Sequence, residues 1–198
     1  MSVTTAERVL EGLARRGTKR IYGLPGGWSS LDLIAAAPRF GLQFVLARHE
    51  GAAAMMATAD AELTGAPGAV LTTKGPGVTN AANGIFCAAL ERAPVVLLSD
   101  GFTPAQTAYI THQVADQRAM TAAIAKGYAR CEGEDPAGEF ESLLDLAMEA
   151  PRGAVHLDLT GAAARRPAAA ATPRGDDFFA KPDFAPALAL LGAARKPV

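Results

Sequence analysis

The chain has 198 residues, of which 49% are hydrophobic and 20% are charged, and its formal net charge is −1. This length and composition suit one α/β domain, or a domain with a tail, that buries a real core. Since basic and acidic residues are interspersed and nearly balanced, the charge gives no case for binding nucleic acid or an anionic membrane. The N-terminus lacks the apolar stretch of a signal peptide, and no apolar run approaches the roughly 20 residues of a membrane-spanning helix. The two cysteines show no pairing pattern, so we expect free thiols and a cytoplasmic protein.

Helix and strand patterns alternate along the first 160 residues. Thr4 and Glu7 form a capping box before the first apolar stripe, and Ser29 or Ser30 is expected to cap the second helix. Single helices between consecutive strands imply parallel crossovers. The predicted fold class is therefore α/β, with an open, mostly parallel six-stranded sheet and helices on both faces. Strands are expected at 19–23, 43–47, 68–73, 94–99, 127–131 and 153–159, and later helices at 30–37, 49–64, 78–90, 117–125 and 140–149.

The composition changes after Thr160. Residues 161–174 are rich in alanine, proline and arginine, with nothing to bury, and are typical of a linker. An amphipathic helix is expected from about 184 to 194, followed by the approach to a strand that does not arrive. We therefore expect a domain at 1–160, a linker at 161–183 and the truncated start of a further domain at 184–198.

Three unusual turns follow predicted strands, at 23–27, 48–52 and 74–80. Ligands of open parallel sheets bind at the C-terminal ends of strands, so these turns together indicate a shared cleft, although each alone is more often a packing feature. The chain has no phosphate-loop motif, no dinucleotide fingerprint and no nucleophile elbow. The three histidines are scattered, so no metal site is expected in this chain. His156 lies in an apolar strand and is expected to be structural.

The segment RHEGAAAMMA, at 48–57, resembles the R-H-E-x-x-A-x-x-M-A signature of the pyrimidine-binding domain of thiamine-diphosphate-dependent enzymes of the acetolactate synthase and decarboxylase type. Further resemblances follow in the family's order. IYGLPGG at 21–27 is similar to its first strand and G-x-P-G loop, and TKGPGVTN at 73–80 to its T-S-G-P-G-A-T-N turn. The loop at 112–117 and RGAVHL at 152–157 match two later segments.

The resemblance implies a cofactor site. In it, Glu50 would hydrogen-bond the pyrimidine nitrogen opposite the amino group and favour the imino form of the ring, which activates the cofactor. The alternative is that Glu50 is an ordinary acid favoured by the helix dipole. Thr79 and Asn80 could bond the pyrimidine edge or merely cap their helix. The cofactor-binding residues implied are Gly26, Glu50, Gly75, Pro76, Gly77, Thr79 and Asn80.

The resemblance also implies a substrate-facing set of Gly27, His112 and Gln113. Gly27 is as in acetolactate synthases, whereas His112 is closer to the decarboxylases, so the substrate and the choice between carboligation and decarboxylation stay open. Lys74 replaces the family's usual serine and could reshape the cleft.

The family holds magnesium and the diphosphate through a G-D-G motif in a separate domain, and this chain has no such motif. We therefore expect the N-terminal fragment of a thiamine-diphosphate-dependent 2-keto acid carboligase or decarboxylase, inactive alone, whose parent is a homodimer or homotetramer using magnesium through the missing domain. One alternative is a natural pyrimidine subunit of a two-subunit decarboxylase. Another is a non-catalytic binding module with the same fold.

Overall fold

The computed structural model describes residues 2–170 and 185–193. In these residues, six strands form one sheet in the order β2-β1-β3-β4-β6-β5, with every neighbouring pair parallel. This confirms the predicted α/β class. The strands are β1 (Arg20–Gly23), β2 (Gln43–Leu46), β3 (Gly68–Thr72), β4 (Val95–Gly101), β5 (Tyr128–Ala129) and β6 (Val155–Thr160). The helices are α1 (Thr5–Arg15), α2 (Ser29–Ala36), α3 (Glu50–Thr64), α4 (Pro76–Leu90), α5 (Pro104–Thr107), α6 (Gln117–Thr121), α7 (Pro136–Met148), α8 (Gly161–Arg165) and α9 (Ala185–Ala193).

Helices cover both faces of the sheet and form two apolar cores. Residues of α1, α2, α7 and α8, including Leu10 and Phe140, pack on one face. The alanine-rich α3 and α4 pack on the other face through residues such as Ala57 and Ile85. Strands β3, β4 and β6 are buried along their whole length, as expected for parallel strands covered on both sides.

The capping box of α1 is confirmed, because the hydroxyl of Thr4 accepts from Glu7 N and the Glu7 carboxylate accepts from Thr4 N. Two elements are shorter than predicted. Helix α6 ends at Thr121 rather than at 125, and β5 consists of two residues only. The strand stops before Cys131, whose φ of 54° lies in the left-handed region that a strand cannot adopt.

The segment after β6 packs against the domain for several residues. The Thr160 hydroxyl accepts from Ala163 N and starts α8, whose Ala163 and Ala164 are buried. Further on, the chain forms an antiparallel bridge between Thr4 and Pro167, and Ala168 N donates to Val3 O at 2.9 Å. The expectation that 161–174 has nothing to bury is wrong for 161–168, because Ala163, Ala164 and Ala168 are buried and α8 packs against α1 and α2. The division into domains stays a prediction, and 171–184 lies outside the described residues.

Two features are absent from the described residues. None of the helices in 2–170 and 185–193 is both long and apolar enough to cross a membrane. The same residues hold no cluster of three or more His, Cys, Asp or Glu side chains that could bind a metal ion. Cys131 is buried and Cys87 is half-buried, and both are free thiols.

Candidate functional site: the C-terminal edge of strands β1 to β3

The three unusual turns lie side by side at one edge of the sheet. Strand β1 pairs with β2 on one side and with β3 on the other, and Gly23 is in register with both Leu46 and Leu71. The order in which strands are added to the sheet therefore reverses at β1, with β2 on one side and β3 on the other. Ligands of open α/β sheets bind at such a reversal. The turns following these three strands contact one another at this edge, because Gly26 packs against Thr73 and Asn80 bonds Glu50. The space beside these turns is called the crevice, and its role as a shared cleft stays a prediction.

Glu50 is the first residue of α3 and is only 7% exposed. The helix is capped by the preceding residue, His49, whose Nδ1 accepts from Gly51 N at 3.0 Å. The side-chain amide of Asn80 donates to Glu50 Oε2 at 3.1 Å. The carboxylate thus has one protein donor and the positive end of a helix dipole to support its charge.

Close packing of α3 on α4 brings Glu50 and Asn80 together. A Cβ on Gly84 would lie 2.5 Å from Ala54 Cβ and 2.7 Å from Gly51 O, so any larger residue there would push the helices apart. Small residues along both helices therefore determine the distance between the two helix N-termini. The alanines and glycines of α3 and α4 therefore help to position Glu50 and Asn80, because they allow the two helices to pack closely.

The turn before α4 requires glycine at two positions. Gly75 has a φ of 57°, and a Cβ on it would lie 2.4 Å from Gln113 O. A Cβ on Gly77 would lie 2.8 Å from the Thr73 methyl group. Pro76 occupies the first turn of α4, where its missing N–H costs nothing.

Thr79 and Asn80 do not cap α4. The cap residue is Gly75, which supplies no side-chain hydrogen bond. The Thr79 hydroxyl donates to Pro76 O at 2.9 Å, back onto its own helix, and Asn80 is committed to Glu50. The capping alternative is therefore wrong for both residues. Both are exposed beside the turn.

The first turn is shaped by Asp100, a carboxylate 1% exposed at the end of β4. A Cβ on Gly26 would lie 2.1 Å from Asp100 Oδ2, whereas one on Gly27 would meet no atom within 4 Å. Asp100 Oδ1 accepts from Ser29 Oγ and from Ser30 N, the latter at 2.8 Å. The expectation that a serine caps α2 is thus wrong: a buried carboxylate from another strand caps it and takes up the serine hydroxyls as donors.

Gln117 connects the Gly75 turn to β4. Its side-chain oxygen accepts from Gly75 N at 2.7 Å, and its side-chain nitrogen donates to Ser99 Oγ at 3.3 Å and to Asp100 O at 3.1 Å. The side chain is buried. The Gln117 side chain thereby holds the backbone of the third turn, at 74–80, and its three partners fix the orientation of the amide.

The same network extends to His156 and assigns its tautomer. Thr121 donates its hydroxyl hydrogen to Gln117 O at 3.0 Å, so it accepts from His156 Nδ1 at 2.9 Å. His156 Nε2 then accepts from Ser99 Oγ at 2.8 Å. Burial lowers the pKa of His156 to about 3, which keeps the ring neutral. His156 therefore has the structural role that the sequence indicates.

His112 and Gln113 lie on the loop that passes the third turn, at 74–80. His112 is exposed and Gln113 is half-buried, with a φ of 61°. The backbone carbonyl of Gln113 lies against Gly75, but neither side chain forms a hydrogen bond within the described part of the chain. A role for these side chains toward substrate stays a prediction.

Sequence reasoning missed the residues that join the turns. Asp100 and Gln117 link parts of the chain that are far apart in sequence. The local signal is an acid directly after the predicted strand 94–99, which the structure places inside β4. Lys74 stood out as a departure from the family pattern. In the structure its ammonium lies near Asp100, Trp28 and Phe102.

Comparison with known proteins agrees with this geometry. A family model described as the thiamine pyrophosphate enzyme, N-terminal TPP-binding domain, matches residues 3–120. The chain is 39% identical over 122 residues to an acetolactate synthase of Bacillus subtilis (strain 168), covering 61% of this chain and 21% of that protein. It is 35% identical over 156 residues to acetolactate synthase isozyme 3 large subunit of Escherichia coli (strain K12), covering 78% and 27%. A probable 2-ketoarginine decarboxylase of Pseudomonas aeruginosa is 32% identical over 186 residues, covering 84% and 33%.

The chain spans between about a fifth and a third of the length of these relatives. The matched residues include all three turns and Gln117. The parallel sheet, the crevice at β1 and the family match agree with one another. The chain therefore belongs to the family of thiamine pyrophosphate enzymes, in which it corresponds to the N-terminal TPP-binding domain.

Proposed function

We propose that this chain binds and activates the aminopyrimidine of thiamine diphosphate as part of a 2-keto acid carboligase or decarboxylase. One observation carries the proposal: Glu50 is buried at a helix N-terminus beside the crevice, held by Asn80 at 3.1 Å. A buried carboxylate costs free energy unless it is used or well paired, and Glu50 has a single side-chain donor. Its second oxygen is thus available to a ligand nitrogen.

The surroundings of Glu50 suit a flat ring. A Cβ at position 26, 75 or 77 would lie within 3 Å of other protein atoms, so these turns are tightly packed, whereas Gly27 faces open space. Gly26, Gly75, Pro76 and Gly77 would border the ring through their backbone. Glu50 would hold a proton at the ring nitrogen, while Thr79 and Asn80 would border the ring edge. These residues fit an aminopyrimidine, and the hydrogen bond from Gln117 to Gly75 N would keep the turn in the shape that the ring requires.

The rest of the reaction needs groups that these residues do not supply. When bound, thiamine diphosphate provides the electron sink for loss of carbon dioxide from a 2-keto acid. Magnesium and the diphosphate would be held by another domain. The relatives named as acetolactate synthases and as a probable 2-ketoarginine decarboxylase support a 2-keto acid substrate, with carboligation and simple decarboxylation as the two forms of the proposal. Gly27, His112 and Gln113 would face that substrate.

We also propose that the parent enzyme is a cytoplasmic homodimer or homotetramer that uses the face of α3 and α4 as an interface. Met55 and Phe86 on this face are 47% and 48% exposed, and Met56 and Leu90 are exposed as well. Several exposed apolar side chains on neighbouring helices are typical of protein contacts. A second subunit would cover it and lie next to the crevice.

The decisive experiment is Glu50→Gln in an enzyme that contains this chain together with a diphosphate-binding domain. We expect exchange of the cofactor C2 proton, followed by proton NMR, to slow by at least ~10²-fold, because the amide cannot act as the acid–base partner. Glu62→Gln, an exposed change on the same helix, is the control and should leave exchange unchanged. Normal exchange in Glu50→Gln would remove the proposal and favour a binding module.

A second measurement concerns the chain by itself. Because most of the cofactor affinity should come from the magnesium-bridged diphosphate, we expect the isolated chain neither to turn over pyruvate nor to bind thiamine diphosphate tightly. Titration calorimetry that reports binding below about 1 μM, a free energy beyond roughly −8 kcal/mol, would contradict this part of the proposal.

A further inference from the structure

Lys74 is a buried cation that the proposed chemistry does not use. It lies directly after β3 and is 8% exposed. Its Nζ lies 4.7 Å from the centroid of the Trp28 ring and 5.1 Å from that of Phe102. The third side is formed by Asp100, whose Oδ2 is 3.9 Å from Nζ. The two rings meet edge to face, with centroids 5.6 Å apart. Trp28, Phe102 and Asp100, which surround the ammonium, are called the cation cage.

The cation cage holds the ammonium without directional hydrogen bonds. An ammonium has three donors, yet no hydrogen bond from Lys74 Nζ is found in the described parts of the chain. Asp100 is already engaged by Ser29 and Ser30. The charge is therefore stabilised by two ring faces and by a carboxylate at the limit of ion-pair distance. Aromatic faces with a nearby acid are the chemistry by which proteins bind alkylammonium ligands.

The cation cage adjoins the first turn of the crevice. Asp100 is the same carboxylate that restricts position 26 to glycine, and Trp28 directly follows Gly27. Trp28 has a φ of 50°, a conformation that costs free energy for a non-glycine residue and is retained where the surroundings over-determine it. Lys74 and Phe102 both contact the Trp28 ring. A ligand extending past Gly27 would meet the cation cage next.

We propose that Lys74 is a specificity-determining residue, which fills from within a cation-binding cage formed by Trp28, Phe102 and Asp100. While Lys74 occupies the cage, the cleft rejects 2-keto acids whose side chains end in an ammonium or guanidinium group, both by volume and by charge repulsion. Removal of the lysine side chain opens the cage to such a cation. The role of Lys74 in substrate selection rests on the proposed function, whereas the existence of the cation cage does not.

The cage can be tested on the chain alone, because Trp28 is its only tryptophan and its fluorescence reports the cage directly. The probe is n-propylammonium chloride, which has the length of the side chain lost in Lys74→Ala, with n-propanol and sodium chloride as controls. We expect Lys74→Ala to show a saturable change in emission with a Kd of roughly 10 mM, weak because the ligand loses its freedom on binding. Wild type and Lys74→Met, in which a long side chain still fills the cage, should not respond. Adding Asp100→Asn to Lys74→Ala should weaken binding by about 10-fold.

These measurements decide whether the cation cage binds an ammonium ion. A folded Lys74→Ala that ignores propylammonium, or that responds equally to propanol, overturns it. Should Lys74→Ala fail to fold, Lys74→Met decides instead: loss of the ammonium beside the indole must alter Trp28 emission, and identical emission overturns the cage.

The role of Lys74 in substrate selection is tested in the complete enzyme. Lys74→Ala should raise kcat/KM for a 2-keto acid ending in an ammonium group, relative to an uncharged one of equal length, by at least about 10-fold. If the ratio of the two kcat/KM values is unchanged in an active Lys74→Ala enzyme, Lys74 does not determine specificity, even if the cage binds propylammonium. Failure of the proposed function would appear separately, as normal proton exchange in Glu50→Gln.

Discussion

The side chain of Asn80, in the first turn of α4, donates its hydrogen bond to Glu50, the first residue of α3. Glu50 starts α3 and Asn80 is the fifth residue of α4, and the two helices follow different strands. The helices approach closely where Gly84 lies against Ala54. The carboxylate is thereby fixed at the crevice by packing that begins a full turn away from it. This relationship can be measured in the isolated chain without any cofactor.

Replacing Asn80 with alanine removes the single side-chain donor to Glu50. We expect the free energy of unfolding to fall by about 1 kcal/mol, because a largely buried carboxylate loses a hydrogen bond. Asn83→Ala, an exposed change on the same helix, is the matched control and should alter stability by less than about 0.5 kcal/mol. Urea denaturation followed by circular dichroism gives both values. Equal effects of the two changes would show that the Asn80 contact contributes nothing.

Neighbouring glycines in the first turn offer a second comparison. Gly26→Ala places a methyl group against Asp100 and Thr73, and overpacking of this kind costs about 1–3 kcal/mol. Gly27→Ala points its methyl group into open space, so we expect a change within about 0.5 kcal/mol. Chemical denaturation of both variants tests this, and a Gly26→Ala protein as stable as Gly27→Ala would contradict the geometry of the turn.

These glycines illustrate how far sequence reasoning reaches. The position of the three turns at one edge of the sheet could be predicted, because strand and helix alternation determines which ends of the strands meet. Glu50 was singled out through the family resemblance, and its role stays a prediction. The cap of α2 was assigned wrongly, since the competing acceptor, Asp100, comes from a strand about 70 positions later. The burial of Lys74 likewise depends on Trp28 and Phe102, which no local pattern places beside it. Local rules predict elements, whereas contacts between distant loops decide which polar groups are satisfied.

His156 should make the stability of the domain depend on pH. The folded state keeps this ring neutral down to a pKa of about 3, whereas the unfolded chain binds a proton below about 6.5. The unfolded state therefore binds more protons in this window, and stability falls as the pH is lowered. From pH 7 to pH 5 we expect His156 to contribute a loss of at most about 2 kcal/mol.

The test compares urea midpoints at pH 7 and pH 5 in wild type, His156→Gln and His112→Gln. Glutamine can still donate and accept hydrogen bonds at position 156 but does not titrate. His156→Gln should lose most of the pH-dependent difference, while the exposed His112→Gln should keep it. If His156→Gln retains the full difference, the titration belongs to other groups.

The apolar face of α3 and α4 predicts self-association. Met55→Glu combined with Phe86→Glu should give a monomer, because two charges cannot be buried across an apolar interface. Leu31→Glu is the control, since Leu31 is comparably exposed but lies on α2, which packs on the other side of the sheet. Light scattering at tens of micromolar is the measurement. A wild-type chain that is monomeric there would count against the interface.

The bridge between Thr4 and Pro167, together with the hydrogen bond from Ala168 to Val3, brings the two ends of the domain into contact. A short peptide loop could therefore link 168 to 3 covalently, and new termini could be opened at an exposed turn such as Gly41, where the backbone already has a φ of 70°. Such a circular permutant would keep every strand pairing of the sheet while reversing the order in which α1 and α8 are synthesised. Val3 and Ala168 therefore lie side by side in space, an arrangement that is compatible with insertion of the whole segment into another chain.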